Sequence, residues 1–415
     1  MKNPIFDNDN WREIFATLSR NKTRTLLTAF GIFWGTAMLG MLWGGAAGLQ
    51  GMMMRNFQGF ATNLGGAFPD RTSIPYRGFK KGMTWSLTMD DVDYFRRICP
   101  ILEHSSAMIY NVGSMKYGTK SASGQMMGVE EDYFKMQIPV IYEGRELNQT
   151  DNRGTRKVVA LGKNVASELF GNESPLGRYV EINGIYFQVV GVLGQKGEAS
   201  IGGRLDDSAL VPATAMRRAF NLGNNVNALL FTATPGHTPT DAKAWLWRSI
   251  ITNHPISPDD DKALWFMDIS EQFEMVDNLF TGISLLALFV GAGTLLAGVI
   301  GVGNIMWIIV KERTQEIGIR RAIGARPSDI IAQILTESMT LTAISGVSGV
   351  SFAVGVLAIT EKLTYDPVLG SAHFELALPD AAGIVVAFLI LGTVAGIIPA
   401  LKAMGIKPVE ALNDK

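Results

Sequence analysis

Four long stretches of this chain contain no charged residue, and they constrain its fold more than any other feature. They cover residues 25–54, 279–310, 338–360 and 381–401. Each exceeds the roughly 18 apolar residues that indicate a transmembrane helix. The long segment between the first and second stretches has the mixed composition of a water-soluble domain. We therefore predict an α-helical membrane domain of four transmembrane helices, with a large α+β extracytoplasmic domain inserted between helices 1 and 2.

Basic residues flank these stretches unevenly, which predicts the orientation of the chain. Lys and Arg are frequent before residue 25 and in the link 311–329, whereas the link 361–380 has only Lys362. Because short loops rich in Lys and Arg stay in the cytoplasm, we expect both termini to be cytoplasmic and the large domain to lie on the opposite side of the membrane. The first stretch is too long for the ~7–15-residue apolar core of a signal peptide, so we expect it to be retained.

The expected organisation follows from these boundaries. An amphipathic helix at 10–19 is predicted to lie along the inner membrane surface. The successive regions are the cytoplasmic N-terminal helix at 1–24, the first span at 25–54, the α+β core domain at 55–268, a stalk helix with the second span at 269–310, a cytoplasmic coupling helix at 311–329, the third span at 330–360, a periplasmic loop at 361–380, the fourth span at 381–402 and a cytoplasmic tail at 403–415.

Local signals predict several elements of the inserted domain. Thr88 to Asp91 has the pattern of a capping box that opens a helix. A short buried strand at 158–161 precedes a helix at 163–170 that Gly171 stops. Asn183-Gly184 is a strong hairpin signal between two strands, and 241–251 has helical spacing. We expect small sheets, arranged in two lobes, with Cys99 as a buried residue and the tryptophans packed in the core.

The second span is too long for the membrane that it crosses. Residues 279–310 would extend about 48 Å as one helix, against a hydrocarbon core of roughly 30 Å. Residues 269–278 also have apolar residues at helical spacing. We therefore predict one helix that continues outward as a stalk; the alternative is a span tilted or kinked through its glycines.

The link 311–329 has the most distinctive local pattern. Glu316 and Arg320 are spaced as an i,i+4 ion pair, Gly324 is a candidate C-cap, and Ser328 is a candidate N-cap for the next helix. Ile319 and Ile323 share one face. We predict a helix that docks in a groove of a cytoplasmic partner; the alternative is an ordinary basic loop. The candidate coupling residues are Arg313, Glu316, Ile317, Ile319, Arg320, Arg321, Ile323, Gly324 and Ala325.

Glycines of the first span recur at small-xxx-small spacing, which lets transmembrane helices approach closely. The predicted packing face serves contacts within the chain or between protomers. Its members are Gly31, Gly35, Gly40, Gly44 and Gly48.

Motifs for catalysis and cofactor binding are absent from the sequence. No P-loop, Gly-x-Ser-x-Gly or HExxH motif occurs, so the chain is not expected to bind ATP, to act as an enzyme or to hold a metal. A net charge of −1 without a basic stripe predicts no nucleic-acid partner. Glu337 is placed near the inner end of the third span, where its carboxylate is expected to reach the headgroups.

The order of motifs resembles that of the MacB/FtsX-type permeases of ABC transporters, and the inserted domain resembles the MacB periplasmic core domain. The motifs that carry the resemblance are Gly-Arg-Glu at 144–146, Val-Val-Ala-Leu-Gly at 158–162, Leu-Phe-Gly at 169–171, Ser-Pro-Leu-Gly-Arg at 174–178, Ile-Asn-Gly at 182–184, Val-Val-Gly-Val at 189–192, the link 312–325, Pro-Ala at 399–400 closing the fourth span, and Lys-Pro-Val-Glu-Ala-Leu at 407–412.

This resemblance implies a function and a set of partners. Such permeases work as dimers, so it implies a second permease protomer, in a homodimer. It also implies a cytoplasmic ABC ATPase subunit that binds ATP and Mg, a periplasmic adaptor and an outer-membrane duct. ATP hydrolysis would drive periplasmic export by mechanotransmission through the stalk. Alternatives are FtsX-like signalling to cell-wall hydrolases, for which the inserted domain is large, Lol-type lipoprotein extraction by unequal permease pairs, and a membrane-anchored enzyme.

Overall fold

The computed structural model describes residues 22–367 and 369–404. It contains two compact units, one formed by Met53–Asp277 and the other by the described residues before and after that range. The predicted amphipathic helix at 10–19 and the tail motif at 407–412 lie outside the described residues.

Helices and strands follow one another along the chain in a mixed order. They are α1 (Lys22–Arg55), β1 (Leu64–Pro69), β2 (Leu87–Thr88), α2 (Met89–Ile98), β3 (Leu102–Tyr117), β4 (Lys120–Val129), α3 (Tyr133–Met136), β5 (Val140–Gly144), α4 (Gln149–Arg153), β6 (Val158–Gly162), α5 (Lys163–Phe170), β7 (Tyr179–Ile182), β8 (Ile185–Gly194), β9 (Ser208–Pro212), α6 (Ala213–Ala219), β10 (Asn225–Val226), β11 (Ala228–Ala233), α7 (Pro239–Asn253), β12 (Leu264–Asp268), α8 (Ile269–Glu312), α9 (Thr314–Ala322), α10 (Pro327–Thr364) and α11 (Leu378–Met404).

The unit Met53–Asp277 is here called the extramembrane unit. It is built on one ten-stranded sheet, in the order β12-β1-β11-β3-β4-β9-β6-β8-β5, with β7 pairing β3 and β8. The expectation that the domain contains only small sheets is therefore wrong, although β10 and β2 form a separate two-stranded sheet. The reason is the length of β3, whose 16 residues pair in succession with two partners. Residues Leu102–Met108 pair with β11, and Ile109–Tyr117 pair with β4. One long strand thus joins what would otherwise be separate sheets.

Both faces of this sheet are buried along β6, β9 and β11. Successive side chains of a strand point to opposite faces, and here Leu229 and Phe231 enter one apolar cluster while Ala228 and Leu230 enter the other. In β6, Val159 likewise lies in the first cluster between neighbours in the second. A strand that is covered on both faces has apolar residues at successive positions instead of alternating ones. Strand β11 has this pattern, and all six of its residues are buried.

The local signals in the inserted domain predicted real elements. Helix α2 begins after a complete Thr88–Asp91 capping box, and α5 ends before Gly171, whose φ is +65°. Strands β7 and β8 form the expected hairpin around Asn183 and Gly184. Cys99 is a buried free thiol, and burial raises the pKa of that thiol.

The tryptophans divide between packed and exposed positions. Trp85, Trp245 and Trp247 pack against the first core cluster as expected. Trp265 departs from the expectation, because 57% of its surface is exposed on β12.

A buried carboxylate connects two helices of the extramembrane unit. Asp91 is fully buried, and its oxygens lie 2.7 Å from His254 Nε2 and from Asn253 Nδ2. The Thr88 backbone N–H donates to the same carboxylate at 2.8 Å. Burial alone would raise the pKa of Asp91, but the hydrogen bonds from His254, Asn253 and Thr88 outweigh it and lower this pKa below its ordinary value. Asp91 therefore joins the start of α2 to the end of α7.

Four helices are long and apolar enough to cross a membrane, as the sequence predicts: Thr25–Arg55, Ile269–Glu312, Pro327–Thr364 and Leu378–Ala403.

Two expectations about helix boundaries are wrong. Pro399 lies inside α11, which continues to Met404 rather than closing at Pro399-Ala400. Helix α10 begins at Pro327 with Arg326 at the N-cap, so Ser328 is not the cap. Proline favours the first helical position because its fixed φ suits the helix and its missing N–H has no helical acceptor there.

Candidate coupling surface around helix α9

The link after the second span folds as a short helix between two long ones. Helix α8 ends at Glu312, and Arg313 departs from helical geometry with φ −99° and ψ 12° before α9 begins. Helix α9 ends at Ala322 with Ile323 at the C-cap. Gly324 follows at φ +104°, one position beyond the cap where it was expected. Its left-handed conformation closes the helix in the way that a glycine at C′ commonly does.

One face of α9 is buried against the ends of the membrane helices. Ile317 retains 7% of its surface and belongs to a small apolar cluster. The other buried members are Val310, Ile330, Ile334, Ala400 and Ala403. These residues come from α8, α10 and α11, so one isoleucine holds α9 against all three helices.

Polar contacts fix the same face of the link. The Arg313 guanidinium donates to Glu337 Oε1 at 3.0 Å, and the Glu337 side chain is only 2% exposed. Arg320 donates to Gln333 and to Glu316, each at 2.9 Å. The Glu316–Arg320 pair expected from the spacing is therefore present. Together these bonds join the link to α10.

The expectation that Glu337 reaches the headgroups is wrong. Its carboxylate is turned inward and paired with Arg313 instead. A buried carboxylate is costly unless a counter-charge and hydrogen bonds compensate it. The break between α8 and α9 places Arg313 where it supplies both.

The opposite face of α9 presents two apolar side chains. Ile319 is 43% exposed and Ile323 is 83% exposed, four residues apart. The nine candidate coupling residues therefore fall into three groups. Arg313, Glu316, Ile317 and Arg320 contact the chain's own helices, Ile319 and Ile323 face outward, and Arg321, Gly324 and Ala325 form the end of α9 and the following turn.

Sequence reasoning missed Gln333 as a partner and Glu337 as an anchor. Both lie on α10, four residues apart, which puts them on one face of that helix. The signal was that Glu337 is the one charged residue of α10 between Asp329 and Glu361, with an amide one turn before it. Nothing in the sequence, however, indicates that Arg313 comes within reach.

A second anchor, also missed, lies at the other end of α8. Asp268 precedes the helix and is buried, with 6% of its surface exposed. Its Oδ1 accepts from the Ser270 backbone N–H at 2.8 Å and from the Ser270 hydroxyl at 2.5 Å. Its Oδ2 accepts from the Thr240 backbone N–H at 3.0 Å and from the Thr240 hydroxyl at 2.7 Å. One carboxylate thus ties the start of α8 to the start of α7.

The glycines of α1 differ in their surroundings. A Cβ atom at Gly40 would lie 2.9 Å from Ala353, at Gly44 2.4 Å from Leu357, and at Gly48 2.2 Å from Phe374. The same atom would lie 3.4 Å from Phe388 at Gly35, and at Gly31 it would meet nothing within 4 Å. The first three glycines therefore allow close approach of other segments of this chain.

Two family models match the chain in sequence. Residues 25–248 match the MacB-like periplasmic core domain, and residues 288–408 match the FtsX-like permease C-terminal family. The chain therefore belongs to the MacB/FtsX-type family of ABC-transporter permeases. With four helices that can span a membrane, it is an inner-membrane permease that carries a periplasmic α+β domain.

Alignments with curated relatives cover nearly the whole chain. The macrolide export ATP-binding/permease protein MacB of Bdellovibrio bacteriovorus is 31% identical over 404 residues, covering 96% of this chain and 60% of that protein. The pyoverdine export ATP-binding/permease protein PvdT of Pseudomonas aeruginosa is 27% identical over 397 residues, covering 95% of this chain and 57% of that protein. The chain thus spans about 60% of the length of such relatives.

Two solved structures of single domains match about half of the chain. The periplasmic region of MacB from Actinobacillus actinomycetemcomitans has a TM-score of 0.43 and 19% identity, covering 55% of this chain and 98% of that one. The extracellular domain of the ABC-type transporter YknZ from Gram-positive bacteria has a TM-score of 0.40 and 19% identity, covering 49% of this chain and 100% of that one.

Proposed function

We propose that this chain is the permease of a MacB-type exporter, in which a cytoplasmic ABC ATPase drives export from the periplasm by mechanotransmission. The observation that carries this proposal is the continuity of helix α8. Its 44 residues correspond to about 66 Å at 1.5 Å per residue, roughly twice the ~30 Å of a hydrocarbon core. A single helix therefore has enough length to cross the membrane and continue well beyond it.

Anchors at both ends of α8 support the same proposal. Asp268 ties the first turn to α7 within the extramembrane unit. At the other end, Arg313 ties the residue after the helix to α10 within the membrane unit. A helix held at both ends can pass a displacement from one anchor to the other, provided that the ATPase cycle biases two positions of the link.

The outward face of α9 is the surface proposed to receive the ATPase. A helix that docks in a groove is recognised through apolar residues at i and i+4, and Ile319 and Ile323 have that spacing and exposure. Arg313 and Arg320 hold α9 on α10, so in this proposal they position the docking face. ATP and Mg are bound by the ATPase, and the chain itself holds no cofactor.

The complete assembly is proposed to contain further partners. A second protomer forms a homodimer, and a periplasmic adaptor and an outer-membrane duct receive the substrate. Both termini are cytoplasmic in this proposal, because the basic flanks then lie inside.

Two experiments test the proposal in sequence. The first purifies the intact chain from its native membrane and identifies its partners by mass. An ATPase recovered with an adaptor and a duct is the expected result. Recovery with a cell-wall hydrolase would instead favour FtsX-like signalling, and recovery with a second permease and lipoproteins would favour Lol-type extraction.

The second experiment tests the docking face. Ile323→Asp should weaken recovery of the ATPase about tenfold or more, because it places a charge in an apolar contact. The matched control is Ile138→Asp, which changes an exposed isoleucine of the extramembrane unit. Equal recovery with Ile323→Asp and with the unchanged chain would contradict the assignment of this face.

A further inference from the structure

A cavity of about 240 Å³ lies near the ends of helices α8 and α11. The described residues that line it are Trp307, Val310, Lys311, Thr314, Pro399 and Lys402. This lining combines two ammonium groups, an indole and an apolar wall, with no carboxylate among those residues. The export proposal makes no use of the cavity.

The sequence places this cavity at the border of the membrane. Lys311 directly follows the uncharged stretch 279–310, and Lys402 directly follows the uncharged stretch 381–401. Both lysines therefore mark the point where a hydrocarbon-spanning segment ends. Trp307 lies one turn before Lys311, and tryptophan concentrates at the depth of the lipid headgroups.

The two cationic side chains are held differently. Lys402 Nζ lies 3.4 Å from the centroid of the Trp307 ring, a close cation–π contact. This contact holds the ammonium at the cavity wall, whereas a lysine at a helix end commonly extends into water. An ammonium group that lies over an aromatic ring can still donate hydrogen bonds to an anion, because it has three N–H donors. Lys311 supplies a second ammonium from α8.

We propose that this cavity binds the phosphate headgroup of an anionic phospholipid. Two ammonium groups attract the negative charge of a phosphate, and basic pockets between transmembrane helices favour anionic headgroups. Val310 and Pro399 give the cavity an apolar wall, along which the acyl chains can continue toward the hydrocarbon. A soluble phosphate shares the headgroup chemistry but lacks these chains. Assignment to the cytoplasmic leaflet rests on the proposed orientation, whereas binding itself is independent of export.

The position of the cavity gives the lipid a structural role. Trp307 and Lys311 belong to α8, Pro399 and Lys402 to α11, and Thr314 is the first residue of α9. A bound headgroup would therefore contact the two membrane helices and the start of α9 at once. Its occupancy would stabilise the seating of the coupling helix.

Lipid binding to the full chain can be measured by native mass spectrometry in detergent micelles. Phosphatidylglycerol is titrated against phosphatidylcholine with matched acyl chains, and inorganic phosphate is tested as a competitor. Phosphatidylglycerol should bind about tenfold more tightly than phosphatidylcholine, because each basic residue near the membrane surface favours anionic lipid. Lys311→Gln with Lys402→Gln should remove that preference, and Lys311→Arg with Lys402→Arg should keep it.

A charge-matched control separates the cavity from general surface attraction. Lys22→Gln with Arg326→Gln removes two positive charges from exposed residues that do not line the cavity and should leave the preference intact. Trp307→Leu, which removes the cation–π contact, should weaken phosphatidylglycerol binding about threefold. Equal binding of the two lipids, or an equal loss in the control, would overturn the proposal. Displacement of the lipid by millimolar inorganic phosphate would overturn the lipid assignment and retain a phosphate site.

Discussion

The two ends of helix α8 are anchored by different chemistry. At the start, the buried Asp268 accepts hydrogen bonds from Ser270 and Thr240, whose donors are neutral. After the end, Arg313 forms an ion pair with the buried Glu337. Removing one partner of a buried ion pair leaves an uncompensated charge, which costs about 3–5 kcal/mol. Removing a hydrogen-bonded partner costs about 1–3 kcal/mol.

This difference indicates which end depends more on its contacts. A carboxylate with four neutral donors loses part of its stabilisation when one donor is removed. An arginine and a glutamate in a buried ion pair lose a charge–charge interaction when either one is removed. We therefore expect the link around α9 to be more sensitive to single substitutions than the start of α8.

The largest effect is expected when the two ends are uncoupled. Insertion of Gly-Gly between Asp277 and Asn278 interrupts α8 with two poor helix formers and should abolish export while the ATPase still binds. The readout is export by cells together with recovery of the ATPase on the purified chain. The same insertion between Lys80 and Lys81, which are exposed outside any helix or strand, is the matched control. Retained export in the α8 variant would argue against mechanical transmission.

Breaking the Arg313–Glu337 ion pair after α8 should have the next largest effect, a loss of stability. Glu337→Ala leaves Arg313 without its buried counter-charge, and we expect a loss of about 3–5 kcal/mol in the free energy of unfolding. Denaturant unfolding of the detergent-solubilised chain measures this loss. The double variant Arg313→Met with Glu337→Met should be clearly more stable than Glu337→Ala, because no charge is left unpaired. Equal destabilisation of the two variants would refute the dependence on charge.

The anchor at the start of α8 should respond more weakly. Asp268→Ala leaves the Ser270 and Thr240 donors without their acceptor, at a cost of about 1–3 kcal/mol. Hydrogen exchange should become faster in β12 and in the first turns of α8. Asp259→Ala, which changes an exposed aspartate, is the control and should leave exchange unchanged. Stability losses larger at Asp268 than at Glu337 would reverse the comparison.

Substitution of Asp91 is expected to have the smallest effect on stability. It tests a second hydrogen-bonded carboxylate of the extramembrane unit, through the pH dependence of unfolding. Its pKa is lowered on folding, so the folded state binds its proton less readily than the unfolded state. The resulting stability is fully present above the unfolded pKa of about 3.9 and is lost as pH falls through the lowered folded pKa. Asp91→Asn should remove this part of the acid sensitivity. An unchanged pH dependence of unfolding between pH 6 and pH 3 would contradict the role of Asp91.

The features that could be predicted from sequence are those that neighbouring residues determine. Thr88 and Asp91 are three residues apart, and their capping box needs no distant partner. Asn183-Gly184 sets its hairpin through the conformation of two residues. The spans followed from uncharged length alone. Glu316 and Arg320 were paired correctly because they are one helical turn apart.

The features that were missed depend on residues far apart in the chain. Arg313 and Glu337 meet only because the helix breaks at Arg313 and α10 returns beside it. Thr240 and Asp268 belong to different elements that the sheet brings together. The double pairing of β3 depends on β11, more than a hundred residues later. No local pattern carries such information, because contacts of this kind are set by tertiary packing.

The pairing of β1 sets the order in which this domain can be completed during synthesis. Strand β1 follows soon after α1, yet its neighbours in the sheet are β11 and β12, the last strands before α8. Strand β1 therefore has no partner at either edge until β11 has been made, and it lacks its second partner until residues near 268 have been made. Pairings between distant segments form slowly and leave apolar edges exposed in the meantime. The interval between insertion of the first span and synthesis of the second is thus the period in which a chaperone or a protease can act on the unfinished domain.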